Sequence, residues 1–183
     1  EDVKKNGGQA ILTQNKHKTG TDRIFEALQK INISNIELVM NLQGDEPLID
    51  INDIRYLKSQ MIKFRSKLGT LASKISNKEL YENQNIVKVI TKEDLNNLNF
   101  PEAKNFMRKV SNKTQNIYHH LGIYCYQREM LKKFISLDQS QNEIKNNLEQ
   151  LRALDNGINI NVALSKSHTI GVDTQEDFVA IKK

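Results

Sequence analysis

Hydrophobic positions along this chain recur at two alternating spacings, one helical and one strand-like, and this alternation predicts a layered α/β fold. Thr19-Gly-Thr-Asp22 precedes an apolar series at Ile24, Phe25, Leu28 and Ile31. That pattern opens an amphipathic helix, with Thr19 as its cap and Asp22 reaching back. Ile36–Leu42 reads as a strand, almost continuously apolar from Leu38, as expected of a strand covered on both faces. It stops at the polar run Gln43-Gly44-Asp45-Glu46-Pro47. A helix is expected around Ile51–Phe64, then strands at Leu68–Ser73 and Asn85–Ile90. Residues Ile117–Tyr126 form a further strand rich in His and Tyr, and Glu129–Leu137 a short helix. Asn142–Asp155 reads as one longer helix with its stripe at Ile144, Leu148, Leu151 and Leu154, stopped by Gly157. Asn159–Ser165 is the last strand, and Thr174 caps a terminal helix with Asp177 three residues on.

Composition narrows the class. A chain of 183 residues makes one domain with a genuine core. The mean hydropathy of −0.60 reflects abundant Lys and Asn, not a lack of Ile, Leu and Val. The net charge of +5 would suit a polyanion, but the lysines are scattered among acids and no arginine-rich block exists. Nucleic-acid binding is therefore not expected. No apolar run reaches the roughly 18–20 residues of a membrane span. Glu1-Asp2-Val3-Lys4-Lys5 lacks the apolar core of a secretory signal, and a single Cys125 allows no internal disulfide. Together these point to the reducing cytoplasm.

Five short stretches have the chemistry of a site. Gln43-Gly-Asp-Glu-Pro47 puts hard oxygen donors beyond a buried strand, where open α/β sheets bind ligands and where Mg²⁺ finds carboxylates. Alone, it reads more simply as a polar turn whose Asp caps the next helix. Gly171-Val-Asp-Thr174 offers a second acid at a strand-to-helix junction, or merely an ordinary helix start. Thr19-Gly-Thr-Asp-Arg23 would receive an anion or a nucleotide edge at a helix N-terminus. In Tyr118-His-His-Leu-Gly-Ile-Tyr124, adjacent histidines face opposite ways, so they do not share one metal. One of them is either a sugar ligand or a satisfied core residue. Glu149 and Arg152 are spaced to pair at i, i+3 on a helix surface, or else to bind a polyol carboxylate.

These strings, in this order and spacing, together with Asn85-Ile-Val-Lys-Val89, resemble the 3-deoxy-manno-octulosonate (KDO) cytidylyltransferases, also called CMP-KDO synthetases. The resemblance spans essentially the whole chain. It implies transfer of a cytidylyl group from CTP to KDO, the acid sugar of lipopolysaccharide, with release of pyrophosphate. By motif match, Asp45 and Asp173 would hold Mg²⁺, and Arg108 would stand close to the sugar as a further catalytic group. Gln43, His120, Tyr124, Glu149 and Gln150 would line the KDO site. Thr19, Gly20, Thr21 and Arg23 would lie near the cytidine. The resemblance also implies a mostly parallel central sheet flanked by helices, of the Rossmann-like nucleotidyltransferase kind. With it comes a projecting β-rich arm at about residues 103–126 that helps form a homodimer.

Two departures accompany the match. The family opens with a strand and a basic phosphate loop, P-A-R-x-x-S-x-R-x-P-G-K, and the only prolines here are Pro47 and Pro101. The chain is thus expected to be N-terminally truncated, with its first strand missing and weak binding of CTP on its own. Phe106-Met-Arg-Lys-Val-Ser111 retains only Arg108 of the family's Ser-Arg-Ala-x-Ile-Pro. The rival readings are a cytidylyltransferase for another acid sugar such as sialic acid, an inactive remnant serving as a binding or dimerisation module, and an RNA-binding module.

Overall fold

A computed structural model describes residues 1–31, 33–44, 48–76, 78–110, 115–166 and 179. In chain order the elements are α1 (Asp2–Lys5), α2 (Gly20–Ile31), β1 (Leu38–Asn41), α3 (Ile51–Lys63), β2 (Leu68–Ser73) and α4 (Lys78–Glu82). Then follow β3 (Lys88–Thr91), β4 (Ala103–Met107), β5 (Ile117–Gln127), α5 (Arg128–Ile135), α6 (Gln141–Asn146), α7 (Leu151–Asp155) and β6 (Asn161–Leu164). The terminal helix expected after Thr174 lies outside the described residues.

One sheet of order β4-β3-β5-β2-β6, with β1 also on β5, carries helices on its faces. The expected central sheet is there, and four of its six described strands, β1, β2, β3 and β6, run in one direction. Among the described strands only β2 and β6 pair in parallel, while β1–β5, β2–β5, β3–β4 and β3–β5 are antiparallel. The reason is the position of β5. It runs against β1, β2, β3 and β6, which share one direction, and it is inserted between them. The segment expected as a projecting arm therefore supplies edge strand β4 and the strand at the centre of the sheet.

Alternation along β5 sets the two layers. Leu121, Ile123 and Cys125 join Leu57 and Met61 of α3 on one face. Tyr118, Tyr124 and Tyr126 join Leu28 of α2 and Leu131 and Phe134 of α5 on the other. The α3 stripe of Asp53, Leu57, Gln60 and Met61 is buried, and Asp50 caps its start by accepting from the Asn52 amide at 2.8 Å. Gly69 lets this helix approach: a Cβ there would lie 2.6 Å from Met61 Sδ and 2.8 Å from Phe100 Cζ. Cys125 is fully buried among apolar neighbours, which push its thiol up to about 12, so it packs and does not react.

The helix expected over Asn142–Asp155 is two. Ser140 and Glu143 form a reciprocal capping box on α6, and Asn147 ends it in the left-handed conformation at φ 51°. Asn tolerates that region better than most residues. The chain restarts as α7 and stops at Gly157, φ 68°. Among the described residues no helix is long and apolar enough to cross a membrane.

Candidate active site

The site forms where β1 leaves the sheet. Asn41 pairs with Tyr124, and from there β5 has no β1 partner until the His120 amide donates to the Val87 carbonyl at 2.9 Å, on the way into β3. The β2 ladder breaks at the same place: Thr70 lies opposite Tyr124 but Leu71 opposite Leu121. Gly122 and Ile123 are thus extra residues of a bulge, a device found beside active sites. His120, Gly122, Tyr124 and Tyr126 follow a period of two, so they share the face towards α2.

Polar side chains converge on this notch. The α2 cap is reciprocal: the Asp22 amide donates to Thr19 Oγ1 at 3.2 Å, and the Thr19 amide and hydroxyl donate back to Asp22 Oδ2 at 3.2 and 3.0 Å. Buried Asn41 donates to Thr21 Oγ1 at 3.3 Å and accepts from Gln43 Nε2 at 2.7 Å. The Gln43 amide lies over Gly20, where a Cβ would be only 3.2 Å from it, and its stem lies 3.9 Å from where a Cβ on Gly122 would be. A side chain at position 20 would make the Gln43 amide give by a few tenths of an ångström, whereas one at position 122 would meet its stem only at ordinary contact distance.

Opposite stand Tyr124 and Glu149. The Tyr124 hydroxyl and Glu149 Oε1 are both buried without a hydrogen-bond partner. Burial holds the Glu149 carboxyl above its usual range, against the pull of the Thr21 and Thr19 hydroxyls and of Arg152. Burial, with Tyr126 and Glu149 alongside, raises the Tyr124 phenol well above its ordinary value. Gln150, next in the chain, is buried as well. The His120 ring lies 5.4 Å from that of Tyr124 and edge-on to Phe106 at 5.0 Å. Burial, with His119 nearby, pulls its pKa down to about 3, so the ring is neutral at any working pH.

Glu149 is available because Arg152 is not its partner. The expected i, i+3 surface pair is replaced by a buried one, with Arg152 Nε and Nη2 donating to Glu143 at 2.9 and 2.6 Å. Only the break between α6 and α7 brings Glu143 back to Arg152.

The residues expected from sequence are thus partly assembled. Thr19, Gly20, Thr21, Gln43, His120, Tyr124 and Glu149 share the notch. Arg23 is engaged elsewhere, donating to Thr13 Oγ1 at 2.6 Å and the Gln14 carbonyl at 3.3 Å. Beside it, Glu26 accepts from His17, from Lys30 at 2.6 Å and from the Gln14 amide, and Lys30 foremost holds its pKa at about 2. These contacts strap residues 12–17 to α2. Arg108 follows β4 and donates to the carbonyls of Gln84 and Asn85 at 3.3 and 2.9 Å. Its own carbonyl accepts from the fully buried Lys88 at 3.1 Å. Asp45 and Asp173 lie outside the described residues. Among the described residues no group of three or more His, Cys, Asp or Glu could hold a metal.

Two participants were given no role from the sequence. Asn41 had a signal, an amide at the end of an apolar strand. Thr70 had none, because a buried β-branched residue is ordinary strand filler.

The cytidylyltransferase family model matches residues 1–160. The 3-deoxy-manno-octulosonate cytidylyltransferase of Thermodesulfovibrio yellowstonii is 40% identical over 188 residues, covering 97% of this chain and 73% of the relative. The chain belongs to the 3-deoxy-manno-octulosonate cytidylyltransferase family. A member from Bacteroides thetaiotaomicron is 37% identical, covering 96% of this chain and 73% of its own length. Among solved structures, a CMP:2-keto-3-deoxy-manno-octonic acid synthetase complexed with CTP superposes with a TM-score of 0.84 at 33% identity. It covers 98% of this cytidylyltransferase and 73% of that chain. A UDP-glucose pyrophosphorylase at 12% identity and TM-score 0.64 shares the fold alone.

Proposed function

We propose that this cytidylyltransferase joins CMP from CTP to 3-deoxy-D-manno-octulosonate, releasing pyrophosphate. The anomeric hydroxyl of KDO attacks the α-phosphorus of CTP, a new P–O bond forms, and the bond to the pyrophosphate oxygen breaks in line with it. Such a transfer asks the protein for positioning and for charge neutralisation, not for a covalent intermediate. The observation that carries the reading is the pair of buried, unpartnered oxygens on Tyr124 and Glu149, beside the Thr19-Gly-Thr21 turn. A polyol is a natural partner for them, because each of its hydroxyls both donates and accepts. Gln43, His120 and Gln150 would complete the sugar side, and Thr19, Gly20, Thr21 and Arg23 the nucleotide side, with Arg108 near the sugar.

Asp45 and Asp173 would hold Mg²⁺, which when bound supplies positive charge against the triphosphate. The donor set suits it, since Mg²⁺ takes one or two carboxylates and keeps phosphate oxygens and water. A shared strand direction supports the pairing. β1 and β6, whose continuations carry the two aspartates, run the same way, so both continuations leave the same rim of the sheet. In register β1 and β6 are three strand spacings apart, roughly 14 Å. The reading extends to a cytoplasmic homodimer that serves lipopolysaccharide synthesis.

Pyrophosphate release should require CTP and KDO together. Chelation with EDTA is expected to abolish it and added Mg²⁺ to restore it. Asp45→Asn should lower the rate by about 100-fold or more, the several kcal/mol a lost metal contact implies. Undiminished release in EDTA would overturn the metal's role.

A further inference from the structure

The bulge in β5 contains a hydrogen-bond arrangement that determines more than strand pairing. Thr70 is wholly buried in β2, and its single hydroxyl touches three acceptor-capable atoms: the Ile123 carbonyl at 2.7 Å, the Leu121 carbonyl at 3.3 Å and His120 Nε2 at 3.0 Å. A hydroxyl has one proton to give and lone pairs to receive. The Ile123 carbonyl belongs to the bulge, where β5 has no register partner in β2, while Leu121 is where the register resumes, and carbonyls only accept. The proton therefore goes to Ile123, the shortest of the three contacts, and satisfies a buried carbonyl that would otherwise be costly to leave bare. What remains towards His120 is a lone pair, so Nε2 must carry the hydrogen. The ring cannot turn freely to another arrangement, being held edge-on by Phe106 and flanked by Tyr124.

We infer that Thr70 is a positioning residue that fixes His120 as the Nε2–H tautomer, so that Nδ1 meets the acid sugar as a hydrogen-bond acceptor and selects a hydroxyl donor there. The second half of this inference rests on the function proposed above; the first half does not. A protonated ring would donate from both nitrogens and lose this selectivity, but burial opposes that charge. Thr70 touches no substrate. It acts through the imidazole and through the carbonyl of the bulge, as outer partners commonly orient a functional histidine.

The test is a long-range ¹H–¹⁵N correlation spectrum of the ¹⁵N-histidine-labelled protein, with the His120 signals assigned by their loss in His120→Gln. The wild type and Thr70→Ser are expected to show the Nε2–H pattern with unprotonated Nδ1. The near-isosteric Thr70→Val, or Thr70→Ala should valine not fold, is expected to lose it. In parallel, Thr70→Val should raise KM for KDO roughly tenfold, the value of one such hydrogen bond, leave KM for CTP unchanged, and be rescued by Thr70→Ser. An Nδ1–H pattern in the wild type, or an unaltered spectrum and KM in Thr70→Val, overturns the inference. The spectrum needs no substrate. An Nε2–H wild type that shows no turnover with KDO would therefore count against the proposed function and leave the tautomer assignment standing.

Discussion

Leucine in place of Arg152 is expected to lower the free energy of unfolding by about 3–5 kcal/mol, measured by urea denaturation. The side chain is 3% exposed, donates twice to a Glu143 that is equally buried, and lies 4.8 Å from the centre of the Phe134 ring. Removing it strands a carboxylate in the interior, and that uncompensated charge is the main cost. Glu143→Leu combined with Arg152→Leu should therefore recover much of the loss. A double variant as unstable as the sum of its parts would show that no coupling exists. The pair also predicts a pH dependence. Burial would raise the Glu143 carboxyl, but the hydrogen bonds from Arg152 and Gln139 outweigh it, so the folded pKa lies below the usual value. The stabilisation is then fully present above the unfolded carboxyl pKa and is lost as pH falls through the lower folded one. The Arg152→Leu variant should lack that part of the acid transition.

Tyr124→Phe is expected to act in opposite directions on stability and function. The phenol oxygen is buried without a partner in the free protein, and such an unmade hydrogen bond costs about 1–3 kcal/mol. Phenylalanine keeps the ring packing against Tyr126 and His120 and removes the orphaned group. Unfolding free energy should rise by about 1 kcal/mol, while KM for the acid sugar rises about tenfold or more. A gain in stability accompanied by a loss of binding is the mark of a group kept for its ligand. If Tyr124→Phe lowered stability and left KM alone, the hydroxyl would have to be structural.

Local chemistry was readable where local rules suffice. The Thr19–Asp22 cap, the apolar strand before Gln43, the helix after Asp50 and the stop at Gly157 all follow from neighbours a few residues apart. What could not be read depends on pairing across the chain. Nothing in Ile117–Gln127 says that it lies antiparallel between β2 and β1. The stripe through Ile144, Leu148, Leu151 and Leu154 satisfied a helical period on both sides of a left-handed Asn147 that period alone does not reveal. That break moved Arg152 from Glu149 to Glu143 and left Glu149 open to the notch. The grouping of Thr19, Gln43, Tyr124 and Glu149 came from family resemblance, since no spacing argument brings them together. Thr70 came only from coordinates.

The most direct test incubates the protein with CTP in large excess, Mg²⁺ and either KDO or sialic acid, and identifies the nucleotide sugar by mass spectrometry. CMP-KDO should appear in step with pyrophosphate, with no product from sialic acid. CMP-sialic acid formed in the absence of any CMP-KDO would contradict the assignment.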